Sequence, residues 1–197
     1  MIQTLYFMIG LVIAITIHEF AHAFTADKLG DPTPRAQGRL SLNPLAHLDP
    51  VGTLMLFLVH FGWGKPVVFD PYNLAHPRRD AGIISIAGPV SNLLLAIALS
   101  VLLRFTPVPY FFVPLFYVIV LLNISLAVFN LIPVYPLDGE KILAAILPRD
   151  LAYEYQAVMN RYGMIILILM IFPVFGSSPV ISLITPAIEF LSRLLLG

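Results

Sequence analysis

Cysteine is absent from the chain. Disulfides and thiolate ligands are thereby excluded, so any metal must be held by His and carboxylate side chains. The lack of Cys does not by itself fix a compartment. Charge is scarce: 11% of the 197 residues are Asp, Glu, Lys or Arg, against about 25% in a soluble domain. Net charge is missing too, with 11 basic side chains balancing 11 acidic ones. That argues against a nucleic-acid partner, which needs a basic footprint. The first residues lack a basic n-region and an A-x-A-like site, so they are expected to be retained rather than cleaved as a signal. No internal repeat or low-complexity tract is present. What fills the chain is apolar: 59% hydrophobic residues and a mean hydropathy of +0.91. This is the composition of an integral membrane protein whose solvent is the lipid bilayer. One membrane-embedded domain is expected over residues 1–197, with a core at about 1–147 and C-terminal helices at about 151–197.

The apolar runs define the expected architecture, an all-α polytopic membrane protein. Runs at about 2–26, 82–104 and 111–133 are long enough to cross a bilayer as helices and form a three-helix core. Residues 155–172 and 180–196 supply two further transmembrane helices. Residues 51–61 are apolar but too short to span, which predicts a re-entrant or interfacial segment. Residues 38–44 alternate polar and apolar side chains and read as a short edge strand. Residues 62–69 read as another strand or loop, with Trp63 at interface level. A re-entrant β/helical element is therefore expected after the first helix. A short helix over 140–147 is stopped by Pro148.

Lys and Arg orient these runs. Lys28, Arg35, Arg39, Lys65, Arg78 and Arg79 lie between the first and second, and Lys141, Arg149 and Arg161 between the third and fourth. The turns at 106–110 and 173–179 have none. The positive-inside rule then puts the N-terminus outside and the basic loops and C-terminus inside, as expected for a multi-pass protein of the plasma membrane. Arg104 is the exception and can snorkel to the interface.

The first run contains His18-Glu19-Phe20-Ala21-His22. Four-residue spacing puts both imidazoles on one helix face, able to bind one ion. Glu19 can then reach a water on that ion as general base. A chance H-E-x-x-H, or a histidine satisfied by core contacts, is the bland reading. The membrane setting weighs against it, because such groups cost roughly 2–3 kcal/mol each to insert in hydrocarbon. Catalytic zinc takes three protein ligands and keeps an open position. Candidates for the third are His47, Asp49, His60, His76, Asp138 and more remote carboxylates. Asp138 is favoured because it ends the third run on the same side as the His pair. Asp138 could equally cap the helix that follows it. Asn130 lies inside an apolar run and needs a partner, either substrate or the carbonyls freed by Pro133 and Pro136.

The pattern His18-Glu19-Phe20-Ala21-His22, followed by Asn130-Leu131-Ile132-Pro133-Val134-Tyr135-Pro136-Leu137-Asp138-Gly139, resembles the site-two protease family of intramembrane zinc metalloproteases. Gly88-Pro89-Val90-Ser91-Asn92 matches a further family motif. The resemblance covers about residues 13–147. It implies one zinc per chain on His18, His22 and Asp138, with Glu19 activating the water. It implies substrate contacts from Asn130 and Asn92, and from a re-entrant β element that maps onto Arg39, Leu40, Ser41, Leu42 and Asn43. The implied substrate is a transmembrane or membrane-associated protein. Glu140 departs from the family pattern, which often has a second Gly there. No PDZ insertion separates the second and third runs, and no nucleotide-binding regulatory domain is expected, which suggests a compact member. Two rival readings are a transporter using the His/Asp cluster as an ion pathway and a non-catalytic membrane adaptor. A Glu directly after a ligand His favours chemistry over both.

Overall fold

The computed structural model of the protein describes residues 2–52, 64–173, 176 and 178–197. Seven α-helices are present among them: α1 Ile2–Lys28, α2 Thr33–Ala36, α3 Pro77–Phe105, α4 Val113–Asn130, α5 Asp138–Ile146, α6 Arg149–Ile171 and α7 Pro179–Leu196. Two single-turn 3-10 helices, Pro44–Ala46 and Pro71–Asn73, lie between α2 and α3. Helices α1, α3 and α4 pack on one another, α5 closes against α3, and α7 covers part of α4. This is the expected three-helix core.

Four helices are long and apolar enough to cross a membrane: α1, α3, α4 and α7. The fifth expected span, 155–172, belongs to α6 and is not among them. That helix starts at Arg149 and carries Asp150 and Glu154 in its first half and Arg161 just past its middle, so its apolar stretch is short. The expected re-entrant segment 51–61 falls, apart from Val51 and Gly52, outside the described residues, as do His60 and Trp63.

No strand forms among the described residues; Leu48 and Gly64 make an isolated antiparallel bridge. The edge strand expected at 38–44 is a correction. Gly38 turns the chain at φ 69°, and the Arg39 N–H bonds back to the Pro34 carbonyl at 2.8 Å. Ser41 Oγ accepts from Asn43 N at 3.1 Å, and the Asn43 side chain caps the turn at Pro44 through Leu45 N at 3.1 Å. The alternation arises from one buried arginine and two local side-chain caps, not from two faces of a strand.

The end of α1 is fixed firmly. Asp31 N bonds the Ala26 carbonyl at 3.0 Å and Gly30 N bonds that of Asp27 at 3.2 Å. Gly30 sits at φ 104°, completing a Schellman cap that only glycine adopts without strain. The Asp31 carboxylate is fully buried. It accepts from Thr33 N at 3.0 Å, Thr33 Oγ1 at 2.6 Å, Asn73 Nδ2 at 2.8 Å and Asp70 N at 2.8 Å. Ala26, Leu74 and Ile84 form a buried apolar cluster beneath it. Together these contacts pin the second half of α1 to the segment that leads into α3.

Candidate metal centre

The buried face of α1 carries Gly10, Ala14, His18, His22 and Ala26 at four-residue intervals. One row of side chains thus faces α3 and α4. Small residues in that row let the neighbouring helices approach and bury both imidazoles, which are 4% and 7% exposed. The rings sit 4.5 Å apart at 87°. His18 Nε2 lies 3.0 Å from Asp138 Oδ2, and His22 Nε2 lies 3.3 Å from the same oxygen. Among the described residues this is the group of His and carboxylate side chains able to hold a metal ion.

Asp138 opens α5, but the cap position belongs to Leu137, which makes no side-chain cap bond. The alternative of Asp138 as helix cap is therefore not what the fold adopts. Its carboxylate turns toward α1 because the chain folds back tightly before α5. A Cβ at Gly139 would stand 2.4 Å from the carbonyl oxygens of Leu131 and Ile132, so only glycine permits that approach.

The other ring nitrogens are committed. His22 Nδ1 meets the Ile84 carbonyl at 2.7 Å. A carbonyl only accepts, so Nδ1 must carry the proton. Pro89, inside the same helix, withholds the N–H that would reach the Ser85 carbonyl one residue further on. His18 Nδ1 meets Asn92 Oδ1 at 2.6 Å. In neutral rings both Nε2 atoms then present lone pairs to a carboxylate oxygen, and a cation between them satisfies all three. Ligand atoms bonded at ~2.0–2.2 Å to a tetrahedral zinc stand about 3.3 Å apart, which fits the observed separations. Room is kept as well. A Cβ at Gly88 would stand 2.5 Å from His22 Nε2 and 2.6 Å from His18 Cε1. The donor set, the protonated Nδ1 atoms and this cradle all fit zinc.

The remaining predicted residues are not gathered at one place. Glu19 Oε2 accepts from the backbone N–H of Val67 at 2.8 Å. Asn92 is completely buried, and Nδ2 donates to Ala14 O at 2.9 Å and to Asn123 Oδ1 at 2.7 Å. Its Oδ1 faces His18 Nδ1 at 2.6 Å. Arg39 is also turned inward, 4% exposed, and donates to the carbonyls of Ala46, Lys65 and Pro66. Burial forces that guanidinium to find acceptors, and it holds two loops together. Leu42 is 58% exposed. Asn130 Nδ2 donates to the Leu126 carbonyl at 3.0 Å, one turn back in α4 and not among the carbonyls that proline frees. His47 Nε2 donates to the Ser41 carbonyl at 2.6 Å, with its buried Nδ1 unpartnered among the described residues; Asp49 accepts from Gly52 N at 2.7 Å, and His76 bonds the Ala75 carbonyl at 2.8 Å. None of these three approaches the cluster.

Sequence reasoning missed Ile84, Gly88, Asn123 and Val67 as neighbours of the site. Asn123 carries a readable signal, an amide inside an apolar run. Ile84 and Val67 act through backbone atoms and carry none.

A membrane-embedded helical core with a His-His-Asp cluster on its second-half face and a Glu beside it defines a class, the metal-dependent hydrolases built into bilayers. Residues 108–170 match the family model described as Peptidase family M50. Over 185 residues the chain is 38% identical to "Putative zinc metalloprotease YwhC" of Bacillus subtilis, covering 87% of this chain and 82% of that protein. It is 25% identical over 182 residues to "Zinc metalloprotease MJ0392" of Methanocaldococcus jannaschii, covering 91% of this chain and 46% of that one. The solved structure of "Site-2 Protease from Methanocaldococcus jannaschii" superposes with a TM-score of 0.55 at 23% identity, over 96% of this chain and 76% of that chain. The chain belongs to peptidase family M50, the site-two proteases. It is an intramembrane zinc metalloprotease acting on protein substrates within a membrane. Neither the transporter nor the adaptor reading finds support in these relatives.

Proposed function

We propose that His18, His22 and Asp138 hold one zinc ion per chain and that Glu19 is the general base of peptide hydrolysis. The observation that carries this reading is the convergence of two Nε2 atoms on Asp138 Oδ2, with both Nδ1 atoms committed elsewhere. When bound, zinc supplies Lewis acidity toward the scissile carbonyl and acidifies water. Val67 fixes Oε2 of Glu19, while Oε1 has no hydrogen bond among the described residues. Oε1 is thus the oxygen that takes the proton of the attacking water and returns it to the leaving amine. Gly88 keeps space open beside the ligands.

Substrate is bound in extended form along Leu40, Ser41, Leu42 and Asn43, with Asn130 contributing its amide oxygen. The exposed Leu42 supports this, and so does the absence of a ladder partner along the segment among the described residues. Arg39 and Asn92 support the site from behind. The N-terminus lies outside and the metal centre faces the cytoplasmic side of the plasma membrane, as the distribution of Lys and Arg favours. The test is elemental analysis of purified wild type, His22→Ala and Asp138→Ala, alongside cleavage of single-span substrates. The wild type should carry one zinc, and both variants should lose zinc and cleavage together. Full zinc in Asp138→Ala would defeat the assignment.

A further inference from the structure

Asn123, in the middle of α4, is completely buried and has no place in the chemistry above. Its hydrogen bonds have an unambiguous direction. Nδ2 donates to the Ile119 carbonyl at 2.8 Å. A carbonyl cannot donate, so the amide nitrogen must face Ile119 and the amide oxygen must face α3. There Oδ1 accepts from Asn92 Nδ2 at 2.7 Å. The second hydrogen of that Nδ2 goes to the Ala14 carbonyl at 2.9 Å. With both amide hydrogens of Asn92 placed, its Oδ1 must face His18 Nδ1, 2.6 Å away. The ring nitrogen must then hold the proton, and Nε2 is left as the lone pair that faces Asp138.

We propose that Asn123 is a positioning residue of the metal centre, fixing through Asn92 the proton of His18 on Nδ1 so that Nε2 is free to bind zinc. The inference rests on His18 being a zinc ligand. Two backbone carbonyls, Ile119 on α4 and Ala14 on α1, anchor the direction of the relay. Ala14 holds one amide hydrogen of Asn92, and Asn123 holds the other. Only both together pin the plane of the amide, because a single bond leaves it free to rotate. The relay also ties the ligand helix α1 to α3 and α4 at the level of the site, so the tautomer is correct only when the three core helices are docked. An isolated imidazole has no such constraint, and a partner on its second nitrogen is what selects the metal-binding tautomer.

The experiment compares wild type, Asn123→Leu, His18→Ala and Ser100→Ala in full-length protein. Ser100 donates within α3 to the Ala96 carbonyl at 2.8 Å, is buried, and lies outside the relay, so its loss controls for a missing buried hydrogen bond. Zinc affinity is measured by competition with a chelator, and the ring tautomers by 15N NMR of histidine-labelled, zinc-free protein. His18→Ala should lose zinc and the His18 resonances. Asn123→Leu should bind zinc about 10–100-fold more weakly, the usual cost of removing a partner that orients a ligand. Its His18 signals should move from the Nδ1–H form toward the Nε2–H form. Ser100→Ala should keep wild-type affinity and tautomer. If Asn123→Leu does not fold, Asn123→Val replaces it with the same expectations. Wild-type affinity and tautomer in a folded Asn123 variant would overturn the proposal while leaving the ligand set intact. So would an equal loss of affinity in Ser100→Ala. Full zinc in His18→Ala would overturn the ligand assignment itself, and the proposal with it.

Discussion

Gly88→Ala separates the demands of the helix from those of the metal centre. Gly88 lies in the interior of α3, where alanine is favoured over glycine by about 1 kcal/mol. On helix propensity alone the variant should be the more stable protein. Its Cβ, however, would stand 2.5 Å from His22 Nε2 and 2.6 Å from His18 Cε1, about 1 Å inside the ~3.5 Å at which such atoms make ordinary contact. The rings cannot yield freely, since each is held at Nδ1 by a bond of 2.6 or 2.7 Å. Metal–ligand distances tolerate only about 0.2 Å, so a shift of this size breaks the geometry. Zinc affinity should fall by at least 10-fold, comparable to losing a partner of a ligand. The assay pairs chelator competition for zinc with thermal unfolding of zinc-free protein in detergent. Tm without zinc should not exceed that of wild type, because crowding a packed site by a methyl costs about 1–3 kcal/mol and offsets the helix gain, while zinc content and cleavage fall. Wild-type affinity with wild-type cleavage in Gly88→Ala would refute the cradle and the placement of the ion beside both Nε2 atoms.

The other expectations are shorter. Glu19→Gln should keep fold and zinc while turnover falls ~100- to 10,000-fold; near-wild-type cleavage by the purified variant would reject the base. The Asp31 carboxyl is held below the usual carboxylate range: burial pushes it up, but the bonds from Thr33, Asn73 and Asp70 outweigh that. A depressed folded pKa contributes stability that is present above the ordinary value near 3.8 and is lost as pH falls below it. Unfolding followed from pH 6 downward should therefore steepen below about pH 4, and Asp31→Asn should flatten that dependence; an unchanged acid limb in the variant would remove Asp31 from the account. Ala46→Cys and Ala75→Cys, in a chain without native Cys, should both label from the cytoplasmic side, and labelling from opposite sides would overturn the proposed topology.

The legible part of this molecule is the part written in side chains with a fixed period. His18 and His22 announce themselves because four-residue spacing leaves them no choice of face. Asp138 could be narrowed down because it ends a run on the correct side, yet its alternative as a cap could be settled only by geometry. The helices α1, α3 and α4 follow from hydropathy, whereas α6 does not, since its charged first half and apolar second half compete within one continuous helix. The misread stretch is 38–44. Arg39 there looks solvent-facing in an alternating pattern, but three carbonyls from distant loops make its burial tolerable. Such acceptors belong to the backbone of residues 46, 65 and 66 and have no residue type to reveal them. The partners of Asn92 were illegible for a related reason. An amide in an apolar helix demands a partner, but the demand alone does not say whether that partner is a substrate or another helix. The structure answers with Ala14, Asn123 and His18, and that answer has a functional corollary. The amides of Asn92 and Asn123, buried among the three core helices, lead to His18, so the hydrogen bonds that dock these helices also place the proton of the proposed zinc ligand.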